Sequence, residues 1–164
     1  MKYARLPLAL VLATLVVLAQ APPAAVLAVQ GDIAAPLSLT ADDLAKMPRQ
    51  TVSLPAPDGT KIVYEGVTML AILQKAGAPF GKQLRGKVLS SYVLAKAMDG
   101  YQVIFTLGEL DPDFGNETIL VADKRDGKPM GEKQGPFRLV CPNDHEGARS
   151  VRMLETLEIV RLAK

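Results

Sequence analysis

The chain has one cysteine, one histidine and no tryptophan among its 164 residues, and only 5% of it is aromatic. A single cysteine excludes an intramolecular disulfide, and no Cys/His spacing of the metal-binding kind occurs. The glycine motif G-x-G-x-x-G, the Walker loop, H-E-x-x-H and the G-x-S-x-G elbow are all missing. Dinucleotide binding, zinc chemistry and acyl transfer thereby lose their usual sequence carriers. An excess of one charge is missing too: 19 basic residues face 17 acidic ones. No Lys/Arg run interrupts that balance, so nucleic acid is not expected as a partner.

What is present begins with Lys2 and Arg5, followed by an apolar run from Leu6 to Ala19 broken only by Thr14. This matches the basic and apolar regions of an export signal and is short for a membrane span. Ala19-Gln20-Ala21 fits a small-x-small cleavage pattern but leaves Pro22 and Pro23 behind the cut; Val26-Leu27-Ala28 avoids them. The expected division is a signal peptide over residues 1–28 and one domain over 29–164, periplasmic or secreted, with an uncleaved anchor as the other reading. Losing residues 1–28 removes two basic residues and no acid, leaving a neutral chain.

Residues 29–39 read as an extended lead-in. Thr40, with Asp43 three residues on, caps a short helix that Pro48 stops. Residues 50–54 and 61–65 read as strands around an Asp58-Gly59 turn, and Thr68 opens an amphipathic helix closed by Gly77. Further strands are expected over 88–98 and 101–105, separated by Asp99-Gly100, then over 118–122, 137–141 and 157–162. Thr106 caps one helical turn before Asp111-Pro112, Asp126-Gly127 is a turn, and 151–154 reads as a helical turn. This irregular order predicts an α+β domain with a mixed or antiparallel sheet and short helices.

The scarce residues gather between Gly135 and Leu154: Arg138, Cys141, Asp144, His145, Arg149 and Arg152. Such a set on one strand exit suits an anion or a polar heterocycle, and also suits ordinary surface ion pairs. Arg138, inside the apolar run FRLV, needs a partner if the strand is buried; Asp99, Glu109 or a bound anion qualify. Cys141 in an apolar strand reads as an inert thiol, and His145 between two acids reads as a solvated loop residue. Asp99 and Tyr101 form a turn whose carboxylate and ring could hold the amino-amide edge of a flat heterocycle.

These residues occur in a familiar series. LTADDL (39–44) with Pro48, YEGV (64–67) before the 70–77 helix, Asp99-Gly100-Tyr101, the 105–110 segment and residues 119–122 with Asp126-Gly127 are followed by GPFRLV (135–140) with Pro142 and by Arg149, Val151 and Arg152. In that order, over residues 36–162, they resemble the oxidoreductase molybdopterin-binding domain, the sulfite-oxidase fold. The resemblance implies a mixed α+β fold with a pterin cleft, near Asp99, Arg138, Arg149 and Arg152, with Tyr101, Asp144 and Ser150 beside them. Catalytic members hold molybdenum through a cysteine upstream of the DGY-like segment; here no cysteine precedes Cys141. Ser150 stands where an aromatic residue is common.

The molybdenum cofactor is therefore not expected. The chain resembles small exported members that bind a pterin without catalysis and act through the periplasmic part of a membrane enzyme of cyclic di-GMP metabolism. Two alternatives remain: a molybdopterin-dependent oxidoreductase with Cys141 as an atypical ligand, and an interaction domain that keeps only the fold.

Overall fold

The computed structural model describes residues 25–162, so most of the expected export signal lies outside the described residues. Among those residues, two five-stranded sheets enclose the core. The first contains β1 (Leu27–Gly31), β2 (Leu37–Leu39), β5 (Ser91–Ala97), β6 (Gln102–Thr106) and β10 (Leu154–Arg161), in the order β2-β1-β10-β5-β6. β1 runs parallel to β10 and the other pairs are antiparallel, which makes this sheet mixed. The second contains β3 (Gln50–Pro55), β4 (Lys61–Thr68), β7 (Leu120–Arg125), β8 (Lys128–Pro129) and β9 (Arg138–Val140), all antiparallel.

Three threonines start the three helices. Thr40 Oγ1 accepts from Asp43 N at 3.2 Å while Thr40 N donates to the Asp43 carboxylate at 3.0 Å, closing a capping box at α1 (Ala41–Ala45). Thr106 and Glu109 repeat the device at α3 (Leu107–Leu110). Thr68 caps α2 (Met69–Lys75), which turns Met69, Ile72 and Leu73 into the core. They share one core with Val29, Val93, Leu157 and Ile159 of the first sheet, with Leu139 of the second and with Phe137 just before β9. Gly66 is required where β4 crosses β7: a Cβ there would lie 2.0 Å from the Val121 carbonyl oxygen.

The fold class is as expected, and several elements differ from the sequence reading. The lead-in is two strands: β1 begins at Leu27, two residues before the expected domain start at Val29, and the Leu27 side chain is fully buried. The 137–141 strand shortens to three residues and pairs only with β7, whereas the closing strand is the centre of the first sheet. Residues 151–154 form no helical turn; the turn of 3-10 helix sits earlier, at Gly147–Arg149. The misleading signal is the apolar pair Val151 and Leu154, three apart and both buried. A register shift in β10 between Leu154 and Thr156 absorbs one residue, so Leu154 and Leu157 both reach the core although they too are three apart.

Candidate ligand-binding cleft

The β5–β6 hairpin turns on Asp99-Gly100, where Gly100 has φ +87 and supplies the left-handed conformation at no steric cost. Asp99 Oδ1 accepts the Tyr101 N–H at 3.0 Å, a local bond that fixes the carboxylate over the turn. The Tyr101 hydroxyl donates to the Ala148 carbonyl at 2.9 Å. That bond ties the hairpin to the 3-10 turn and closes a cleft of about 220 Å³. Asp99 and Tyr101 form one wall, Gly147 and Ala148 the next, and Ser150, Val151 and Arg152 the floor and rim.

Four of the seven candidate residues thus share one cavity: Asp99, Tyr101, Ser150 and Arg152. Asp99 and Arg152 are exposed, and among the described residues neither has an ion-pair partner. Ser150 is nearly buried, and its Oγ accepts the Cys141 N–H at 3.1 Å. It holds the floor to the end of β9 and offers little surface for stacking.

Arg149 and Asp144 face one another instead of the cavity. Arg149 Nε and Nη2 donate to the two Asp144 oxygens at 2.8 and 2.6 Å, and Nη1 donates to Glu109 at 2.8 Å. The guanidinium carbon stands 5.1 Å from the centre of the Phe105 ring. These two carboxylates hold the Arg149 charge firmly, raising its pKa against the opposing effect of burial. Arg149 is thus a clamp behind the cleft wall. Glu109 and Phe105 complete that clamp; they lie about one helical turn apart and some forty positions before Arg149, and nothing in the sequence connects them to it.

Arg138 sits on β9 in the second sheet and does not line the cleft. Neither Asp99 nor Glu109 is its partner: Nη1 donates to Gln134, and the guanidinium lies over Tyr64 at 5.3 Å from the ring centre. Its Nε is buried without a hydrogen bond. Burial, opposed by Tyr64 and reinforced by the nearby charges of Arg152 and Arg125, lowers its pKa. Stacking on an aromatic face explains how a strand arginine persists without a carboxylate.

Cys141 is 6% exposed, and its Sγ points to the Arg149 carbonyl at 3.5 Å. Burial, with Asp144 nearby, pushes the thiol up to about 12. Arg149 acts in the opposite direction and is outweighed by burial and by Asp144. A protonated thiol at neutral pH is a poor nucleophile and a poor metal ligand. An aromatic disulfide reagent is expected to label native Cys141 at least ~100-fold more slowly than the urea-unfolded chain, and equal rates would contradict this burial. His145 is exposed on the same loop, and among the described residues no cluster of His, Cys, Asp and Glu could hold a metal ion.

No protein-family model and no curated protein matches the sequence. Among solved structures, the sulfane dehydrogenase SoxCD from Paracoccus pantotrophus superposes with a TM-score of 0.62 at 22% identity. The match covers 82% of this chain and 38% of that one, so this chain spans well under half of its neighbour. At that identity the similarity concerns the fold: residues 25–162 adopt the mixed α+β sulfite-oxidase-like fold.

Proposed function

We propose that the protein is an exported, non-catalytic binder of a pterin that acts through a protein partner. The observation that carries the reading is the meeting of Asp99 and Arg152 in one cleft, each without an ion-pair partner among the described residues. A pterin presents an amino-pyrimidinone edge. Its donors suit the Asp99 carboxylate, and its carbonyl suits a guanidinium N–H. The cavity, about 220 Å³, is below the roughly 300 Å³ at which drug-sized pockets begin. A two-ring heterocycle suits such a space better than a long cofactor does.

The fold family also suggests molybdenum, and the residues do not fit it. A thiolate ligand must face the cavity that holds the metal, whereas Cys141 does not line the cleft, is buried and turns its Sγ to the Arg149 carbonyl. Export and a membrane partner, such as the periplasmic part of a cyclic di-GMP enzyme, belong to the same proposal. Their support is the basic and apolar start of the chain and the sequence resemblance.

Titration with a fluorescent pterin tests the reading. Micromolar binding is expected, and Asp99→Asn should weaken it at least ~10-fold, since tenfold corresponds to about 1.4 kcal/mol. Asparagine keeps the acceptor for Tyr101 N–H, so its unfolding midpoint should stay at the wild-type value. No uptake by the wild-type chain at tens of micromolar, or equal affinity in Asp99→Asn, would sink the proposal. Stoichiometric molybdenum in native material that is lost in Cys141→Ser would establish the oxidoreductase reading instead.

A further inference from the structure

The five strands that end the two sheets are not equally protected. β2 has three residues and follows Pro36; β8 has two and ends in Pro129; β9 has three and follows Pro136; β3 runs between Pro48 and Pro55. Short length and proline are the usual guards of a free sheet edge. β6, Gln-Val-Ile-Phe-Thr, ends the first sheet with neither guard and no charged residue. Among the described residues its strand partner is β5 alone.

Beside β6 lies an apolar groove of about 470 Å³, lined by Leu89, Tyr92, Ile104 and Leu162. Ile104 is 56% exposed, Leu89 45% and Leu162 59%. The groove lies at the end of the first sheet away from the Asp99 cleft: it takes in the start of β5 and the end of β10, whereas the cleft adjoins the opposite ends of both strands. The charges that share this outer sheet face, Lys96 and Glu158, already neutralise each other at 2.5 Å.

We propose that β6 pairs with β6 of a second copy of this chain, giving a two-fold dimer with one continuous sheet. The sequence of the strand selects this occupant. Antiparallel pairing about Ile104 sets Ile104 against Ile104, Val103 against Phe105 and Gln102 against Thr106. Apolar residues then meet at the centre, polar ones meet at the ends, and no like charges oppose each other. A two-fold axis perpendicular to the sheet also places the two grooves side by side on one face, so Leu89 and Leu162 of both copies flank the seam.

Sedimentation equilibrium of the full chain tests this, with three single-site variants. The wild type is expected at twice the chain mass at tens of micromolar, and Ile104→Lys should raise the dimer dissociation constant at least ~10-fold while keeping the wild-type circular dichroism spectrum, because the site is exposed in the single chain. Ile104→Cys should form a disulfide-linked dimer on mild oxidation, since directly opposed residues bring Cα atoms about 4.5–5.5 Å apart. Ser38→Cys, exposed on the opposite edge strand, should not. A wild-type chain of single mass would overturn the proposal and leave the groove to a different partner. A dimer that Ile104→Lys leaves intact, or one in which Ser38→Cys cross-links and Ile104→Cys does not, would overturn it as well.

Discussion

Replacing Arg149 with alanine is expected to lower the free energy of unfolding by about 2 kcal/mol and, in the same variant, to weaken ligand binding. Arg149 makes three charged hydrogen bonds, two to Asp144 and one to Glu109, and covers the Phe105 ring. Fully buried pairs lose about 3–5 kcal/mol when one partner is removed, and fully exposed pairs lose about 0–1. The Arg149 side chain is 38% exposed, whereas Asp144 is 18% and Glu109 25% exposed, so solvent screens part of the loss. Two partly buried carboxylates left together without a cation account for the remainder.

The second half of that expectation follows from position. Ala148 and Ser150 line the cleft and Arg149 stands between them, so the clamp sets the wall without touching a ligand. Arg149→Lys should recover less than half of the stability, because an ammonium cannot reproduce the bidentate fork on Asp144. Arg152→Ala gives the contrast: it should weaken binding while leaving the urea midpoint unchanged. If Arg149→Ala unfolds at the wild-type midpoint, the clamp contributes nothing and Arg149 returns to the pool of free surface charges.

The contrast between Arg149 and Arg152 shows which parts of the site are legible from sequence. Capping threonines, DG turns and the α+β class depend on neighbours within a few positions, and Thr40, Thr68, Thr106 and the Asp99 turn all appear where local chemistry puts them. Two arginines three positions apart look alike in the sequence. One is neutralised by carboxylates five and forty positions away, and the other remains exposed at the cleft rim. Arg138 was informative for the reason burial gives, but its answer is an aromatic face on β4 that pairing through β7 brings across. The central place of β10 in the first sheet is not legible in the sequence, because its parallel partner β1 is hidden at the end of an apolar run that also suits an export signal.

That hidden strand carries a second large expected effect. A chain begun at Val29 should unfold at least ~3 kcal/mol more easily than one begun at Ala25, by urea titration of the two purified forms. Leu27 is fully buried and packs in the main core, where removing a leucine side chain costs about 2–5 kcal/mol. The shorter chain also loses Ala28, which stands opposite Thr156 on β10 and Ser38 on β2, so the start of the central sheet loses pairing on both sides. A signal cut after Ala28 would deliver this weakened form. Cleavage at or before Ala25 would leave β1 whole, even though the Ala19-Gln20-Ala21 pattern places a proline behind the cut. Intact mass of the exported protein distinguishes the two: a mature chain starting at Val29 with undiminished stability would mean that Leu27 is dispensable to the sheet it begins.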